Sequence, residues 1–175
     1  RRQIASGLSE VVRLLNSNEP LEKSLDFIVQ QAVGLTAASK AAIFDRQGDR
    51  VGVRSVYPQG ATHNFDLTDP QCSSARILRE SIFLNRLLIF SRIDPLTMKA
   101  GNTWGLVDGE YRTAIGIPLL VEEMVFGGLV LFYDEERTFS PEEINLARTL
   151  ANQASLAITS NVLKGQAQES AVTAE

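Results

Sequence analysis

The segment Tyr111–Tyr133 constrains the fold more than any other part of the chain. It holds two apolar runs, Thr113–Val121 and Val125–Tyr133, joined by a short acidic turn. Each run has the length of one strand, so together they predict a β-hairpin. The second run, VFGGLVLFY, is apolar at nearly every position, which indicates a central strand covered on both faces. The adjacent Gly127 and Gly128 favour a bulge or a close approach of another backbone.

Composition narrows the class of protein. A chain of 175 residues with 44% hydrophobic content can bury one substantial core. Its formal charge of −4, without a run of Lys or Arg, argues against direct binding to nucleic acid or to an anionic membrane. The single cysteine, Cys72, excludes an internal disulfide, and no apolar stretch reaches the length of a transmembrane helix. These features predict a cytoplasmic protein, and the start at Arg1-Arg2 suggests a fragment of a longer one.

Two helices are predicted before the first strand. Residues 1–18 have a narrow apolar seam, which predicts a signalling or dimerisation helix. The seam consists of Ile4, Leu8, Val11 and Leu15. Pro20 then opens a second helix, whose wider apolar stripe from Leu21 to Val33 is typical of a helix that packs on a core.

The middle of the chain is predicted to be mixed. Lys40–Asp45 and Val51–Tyr57 form a second hairpin pattern. After a polar loop, Asp69-Pro70 supplies a cap and a proline for the start of a short helix. Arg86–Phe90 is strand-like, whereas Ser91–Glu110 is rich in Gly and has no sustained periodicity.

The last helix has the clearest start. Ser140 and Glu143 have the spacing of a capping box, and Pro141 between them suits a first helical turn. The helix is predicted to run to about Leu163, with one face on the sheet and another, which includes Leu150 and Leu163, on a partner helix. Residues 165–175 are predicted to be a flexible tail. The whole order predicts an α+β fold, an antiparallel sheet of five to six strands with helices packed on its faces.

The second half of the chain resembles the closing half of a GAF domain. In that family a polar or aromatic lead-in, a strand ending in Pro-Leu, a Gly-Gly-Leu-type strand, a Phe-Ser helix cap and an Ala-Asn-Gln-Ala helix recur together. Here these are Tyr111-Arg112, Pro118-Leu119, Gly127 to Leu129, Phe139-Ser140 and Ala151 to Ala154. The first half is also similar, so the resemblance spans about residues 4 to 163. A PAS-type sensor is the nearest alternative fold, with its elements in a different order.

The resemblance implies a sensory or regulatory module of a larger signalling protein, such as a sensor histidine kinase of a two-component system. It divides the chain into a helix at 1–18, a GAF domain at 19–164 and a tail at 165–175. It also implies a homodimer, terminal helices that lie together, and a small ligand held between the sheet and its cover. The residues expected to line that pocket are Arg76, Phe90, Trp104, Tyr111, Arg112 and Thr113. The alternative is that Arg112 pairs with a nearby acidic residue and Trp104 is ordinary cover.

Cofactor chemistry is not expected from this sequence. Some GAF domains attach a linear tetrapyrrole to a cysteine, but Cys72 is followed by Ser73 rather than by His. The single histidine, His63, and the single cysteine cannot make a typical zinc site, and a lone loop histidine does not indicate haem. Cyclic-nucleotide GAF domains carry Asn-Lys where this chain has Tyr133-Asp134. No haem, bilin or metal is therefore predicted, and the ligand stays undefined.

Enzymatic activity is not expected either. One GAF relative reduces methionine sulfoxide with several cysteines, whereas Cys72 has no resolving partner within this chain. Two functions are left open. The first is a ligand-sensing domain that signals through its terminal helices. The second is a ligand-free module for dimerisation or protein interaction, in which Phe83, Leu84, Leu87 and Leu88 fill the pocket.

Overall fold

The computed structural model describes residues 20–62, 65–66, 68, 85–91 and 111–174. In these ranges two helices and six strands follow one another along the chain. They are α1 (Leu21–Thr36), β1 (Lys40–Gln47), β2 (Arg50–Tyr57), β3 (Phe65–Asp66), β4 (Leu88–Phe90), β5 (Thr113–Val121), β6 (Met124–Tyr133) and α2 (Pro141–Ala174). The predicted helix at 1–18 and the predicted short helix after Asp69 lie outside the described residues.

The strands form one antiparallel sheet in the order β3-β2-β1-β6-β5-β4. The predicted α+β fold and both predicted hairpins are confirmed. Strand β6 lies between β1 and β5, and its residues from Gly127 to Tyr133 are all buried. The unbroken apolar run therefore correctly predicts a strand at the centre of the sheet with both faces covered.

The sheet separates two apolar cores. Helices α1 and α2 pack on one face, which we call the helix face, where Leu25, Ile28, Ile115, Leu131 and Leu150 are among the fully buried side chains. The opposite face, which we call the second face, carries a separate cluster to which neither helix contributes. Its buried members are Ala42, Phe44, Val51, Val56, Tyr111, Ala114, Val130 and Phe132. Alternate residues of each central strand thus serve different cores.

The Gly-Gly pair of β6 permits a close approach of β1. An alanine Cβ at Gly127 would lie 1.9 Å from the carbonyl oxygen of Phe44, and one at Gly128 would lie 2.4 Å from Cζ of the same phenylalanine. The register between β5 and β6 also shifts after Leu119, which leaves Phe126 as an extra residue on β6. The predicted close approach and the predicted bulge are both confirmed.

The turn between β5 and β6 is strained. Glu122 and Glu123 both have positive φ, 51° and 66°, and they form a two-residue loop between the paired residues Val121 and Met124. Positive φ at both positions is the requirement of a type I′ turn, for which Asn-Gly is preferred. Glutamate pays a steric cost in this region because its Cβ crowds the backbone.

Replacing Glu122-Glu123 by Asn-Gly should therefore stabilise the protein. We expect the free energy of unfolding to rise by about 1 kcal/mol, since the turn strain is removed while the register is kept. Urea denaturation followed by circular dichroism measures the change. The control is Glu142→Asn, an exposed glutamate in α2, which should not stabilise the protein. A double variant that is less stable than the parent would contradict this description of the turn.

The last helix is longer than the sequence pattern predicts. Helix α2 continues to Ala174, so the predicted end near Leu163 is wrong. A single glycine in a helix costs only about 1 kcal/mol, and the residues around Gly165 are good helix formers, so Gly165 does not stop the helix. The start is confirmed, because α2 begins at Pro141 as the capping pattern indicates.

Candidate functional site

The second face is the candidate binding region, and its central side chains are buried in this structure. In the register of the sheet, Phe90, Ala114, Phe132 and Lys40 lie side by side across four strands. The neighbouring row contains Ala42, Val130 and Gly116. Small residues thus lie in the middle of the sheet between larger apolar side chains.

Aromatic rings border this surface at one end. The rings of Tyr111 and Phe132 are 4.9 Å apart between centroids and inclined by 37°. Both side chains are buried, and Phe90 packs against the same cluster while remaining partly exposed. Surfaces of this composition suit flat, largely apolar parts of a small molecule. Lys40, half-buried at the end of the row, adds a positive charge.

The predicted pocket residues divide into three groups. Tyr111 and Phe90 meet at the second face. Thr113 is fully buried but directs its hydroxyl to the segment after β6, and Arg112 is exposed rather than enclosed by a pocket. Arg76 and Trp104 lie outside the described residues, as do Cys72, His63, Phe83 and Leu84.

The predicted dimer residues are also separated by the structure. Leu150 is fully buried on the helix face, so it packs on the protein's own sheet and has no surface left for a partner. Leu163 is 52% exposed, and Leu156, seven residues earlier on the same helix, is 54% exposed. Leu156 is not among the predicted dimer residues, although its spacing of one heptad from Leu163 is a usable signal. The seam of Ile4, Leu8, Val11 and Leu15 lies outside the described residues.

A cluster around Arg137 joins the sheet to the start of α2. The guanidinium carbon lies 4.8 Å from the ring centroid of Tyr133 and 5.4 Å from that of Phe139, distances typical of cation–π contacts. The two rings meet edge to face at 5.2 Å. The guanidinium also pairs with the carboxylate of Glu143 in α2 and donates to the carbonyl of Thr36, at 3.5 Å, in the last turn of α1. One side chain thus contacts both helices and the end of β6.

The same cluster contains a buried polar link to β5. The backbone N–H of Arg137 donates to the hydroxyl oxygen of Thr113 at 3.1 Å, and that hydroxyl donates to the carbonyl of Glu135 at 2.9 Å. The hydroxyl of Tyr133 donates to the carbonyl of Thr36 at 3.1 Å. Burial raises the pKa of the Tyr133 hydroxyl, so it remains a donor at neutral pH. Beside this cluster lies a cleft of about 480 Å³, whose lining includes Ser91, Glu136, Arg137 and Thr138.

The predicted capping box is confirmed. The backbone N–H of Ser140 donates to Glu143 at 3.1 Å, and the backbone N–H of Glu143 donates to the hydroxyl of Ser140 at 3.2 Å. The bond from the Ser140 N–H lowers the pKa of the Glu143 carboxyl most strongly, and the charge of Arg137 lowers it further. The carboxylate is therefore favoured in the folded protein.

The lowered pKa of Glu143 makes the stability of the protein depend on pH in the acidic range. A carboxyl whose pKa is lower when folded stabilises the protein above its usual value of about 4.5, and that contribution is lost as the pH falls below it. We expect Glu143→Gln to reduce the stability at pH 7 and to lessen the further loss between pH 5 and pH 3. Urea denaturation at several pH values measures both effects. Glu142→Gln, in the same turn but exposed, is the control, and equal acid sensitivity in the Glu143→Gln variant and the parent would contradict the prediction.

A second polar network lies between α1 and the sheet. Asp45 in β1 is nearly buried and accepts from Arg54 at 3.2 Å, and Arg54 also reaches Glu22 of α1 at 3.2 Å. Ser55 donates to Asp26 of the same helix. Arg54 is the extra residue at the register shift between β1 and β2, which turns its side chain towards α1. This network fixes α1 on the sheet.

Two further observations concern the described part of the chain. No helix there is long and apolar enough to cross a membrane. Among the same residues, no group of three or more His, Cys, Asp or Glu side chains could hold a metal ion.

Comparison with known proteins identifies the family. Residues 18–159 match the GAF domain family, and the chain therefore belongs to it. No curated protein sequence matches the chain significantly.

Solved structures share this fold. The GAF domain of a phosphoenolpyruvate-protein phosphotransferase from Coxiella burnetii is similar with a TM-score of 0.71 and 18% identity, over 94% of this chain and 98% of that chain. The phycoerythrobilin-bound GAF domain of a cyanobacterial phytochrome has a TM-score of 0.70 and 16% identity, over 93% and 98%. The GAF domain of the Acinetobacter phosphoenolpyruvate-protein phosphotransferase has a TM-score of 0.68 and 17% identity, over 90% and 94%. At these identities the likeness concerns the fold.

Proposed function

We propose that this chain is the ligand-sensing domain of a larger cytoplasmic signal-transduction protein, such as a sensor histidine kinase. A small molecule binds on the second face, and the terminal helices carry the change to an output module of the same polypeptide. The domain itself has no catalytic role. The observation that carries the proposal is the composition of the second face, where Ala114 lies between Phe90 and Phe132 and the small residues Ala42 and Gly116 flank Val130 in the next row.

The separation of the two cores supports this division of labour. The helix face is occupied by α1 and α2, so binding on the second face does not compete with packing of the helices. A ligand can act as a switch only if it binds one arrangement of the helices better than the other. In this proposal the aromatic border around Tyr111 senses the ligand, since it lies at the start of β5, next to the segment that leads into α2.

A thermal-shift screen of the purified chain against small molecules tests the proposal. A ligand should raise the melting temperature, because it binds the folded state alone. Tyr111→Ala should then weaken its affinity by at least about tenfold, the effect of losing a buried aromatic contact. Leu163→Ala, on the exposed side of α2, is the control and should bind normally. Unchanged affinity of Tyr111→Ala would place the ligand elsewhere, and unchanged affinity of Arg112→Ala would remove Arg112 from the site.

A second function is favoured by the exposed side of α2. Leu156 and Leu163, one heptad apart and both more than half exposed, suit contact with another helix. A homodimer formed through the terminal helices would use this pair and the predicted seam at Ile4–Leu15. In the alternative function, the domain dimerises without binding a ligand.

Light scattering distinguishes these contributions to a dimer. If both terminal helices pair, Leu163→Asp and Leu8→Asp should each yield monomers, because a charge at a helix interface is costly to desolvate. Asn161→Asp, at an exposed position of the same helix, adds the same single negative charge and is the control. A dimer that persists in Leu163→Asp would remove α2 from the interface, and one that persists in Leu8→Asp would remove the N-terminal seam.

A further inference from the structure

We propose that Arg137 is the positioning residue that fixes the start of α2 against the sheet and transmits movement at the start of β5 to that helix. The transmission part rests on the proposed function, whereas the positioning part rests on geometry alone.

Arg137 occupies the junction between the sheet and the helix. It lies in the linker 134–140, between the end of β6 and the first residue of α2. Its guanidinium contacts the ring of Tyr133 on the sheet side and the ring of Phe139 on the helix side. A planar guanidinium can stack on aromatic rings and donate hydrogen bonds from its edge at the same time. This residue therefore links the two sides of the linker through one rigid group.

The polar contacts of Arg137 reach both helices. Its ion pair with Glu143 lies in the first turn of α2, where the same carboxylate completes the capping box with Ser140. Its contact with the carbonyl of Thr36 lies at the end of α1, where helix carbonyls lack partners within the helix. Loss of the guanidinium would leave the Glu143 carboxylate bound only to the backbone of Ser140 and would remove the side chain that contacts the ends of both helices.

The backbone of Arg137 completes the connection to the candidate binding surface. Its N–H donates to the hydroxyl oxygen of Thr113, which lies between Arg112 and Ala114 at the start of β5. Ala114 belongs to the second face, and Tyr111 lies on the same face two residues before Thr113. A displacement of Tyr111 can reach Glu143 through the backbone of Arg112, the hydroxyl of Thr113, and then the backbone and the side chain of Arg137. Both contacts are partly shielded from water.

Hydrogen exchange of the whole chain, followed by mass spectrometry, tests the positioning role. In Arg137→Met, amides in the first turns of α2, about residues 144–147, should exchange at least about tenfold faster, the size expected when a hydrogen-bonded charged group is lost. Arg137→Lys should restore this protection only in part, because an ammonium group cannot stack on aromatic rings while it donates hydrogen bonds to two separate acceptors. Arg148→Met, an exposed arginine of α2, is the control and should change nothing. Unchanged exchange at 144–147, or an equal increase throughout the central strands, would overturn the proposal.

A double-mutant comparison tests transmission. Tyr111→Ala should also speed exchange at 144–147, whereas Val56→Ala, on the same face but in β2, should not. If Arg137 carries the effect, Tyr111→Ala should add nothing in the Arg137→Met background. Independent, additive effects of the two changes would overturn transmission through Arg137. These experiments need no ligand, so a failed ligand screen would count against the proposed function without altering their outcome.

Discussion

Gly127→Ala is expected to destabilise the protein by more than about 4 kcal/mol, enough to unfold most domains of this size. The added Cβ would lie 1.9 Å from the Phe44 carbonyl oxygen, 2.8 Å from its carbonyl carbon and 2.9 Å from Cα of Asp45. All three atoms belong to the backbone of β1, which is held between β2 and β6. The clash can therefore be relieved only by separating the two central strands.

Urea denaturation and the yield of folded protein measure this effect. The matched control is Gly34→Ala, at an exposed position in α1 where a Cβ would meet nothing within 4 Å. That change should stabilise the protein by about 0.5–1 kcal/mol, because glycine weakens a helix interior. A Gly127→Ala variant that folds with less than about 1 kcal/mol of lost stability would show that β1 and β6 are not this close.

The second large effect is expected at Leu150. This side chain is fully buried where α2 packs on the sheet, so Leu150→Ala should reduce the free energy of unfolding by about 2–5 kcal/mol. Leu163→Ala, on the exposed side of the same helix, should change the stability of the monomer by less than about 0.5 kcal/mol. Denaturation at low protein concentration, where a dimer does not contribute, gives both values.

The contrast between the two leucines decides which side of α2 meets the sheet. If Leu163→Ala were the more damaging change in the monomer, the described packing of α2 would be wrong. If the two effects were equal and small, α2 would contribute little to the core. The expected order also assigns Leu150 to the fold and leaves Leu163 available to a partner.

Patterns that depend on neighbours in sequence predict this structure well. The apolar run before Tyr133 predicts the central strand, and Ser140 with Glu143 predicts the start of α2. The Gly127-Gly128 pair predicts the close contact between strands, because few other sequences permit it. These signals are local, because each depends on interactions within one or two helical turns or between two paired strands.

Features that depend on tertiary structure could not be predicted in the same way. The helical spacing assigns Leu150 to a different face of α2 from Ala147 and Ala151. In the structure all three residues are buried in the core between α2 and the sheet. Alternation along β5 does not extend to Arg112, which precedes the strand and is exposed. The role of Arg137 depends on Thr36 and Thr113, which are distant in sequence and come near only through the sheet. No spacing rule connects such residues.

We propose above that this GAF domain senses a small molecule. Native mass spectrometry of the purified chain, together with its absorption spectrum, tests the claim most directly. We expect a small molecule bound in stoichiometric amount, either carried through purification or restored by adding a hit from the screen, and no visible band from haem or bilin. Bare dimers that bind none of the screened molecules would contradict it and would favour the interaction module.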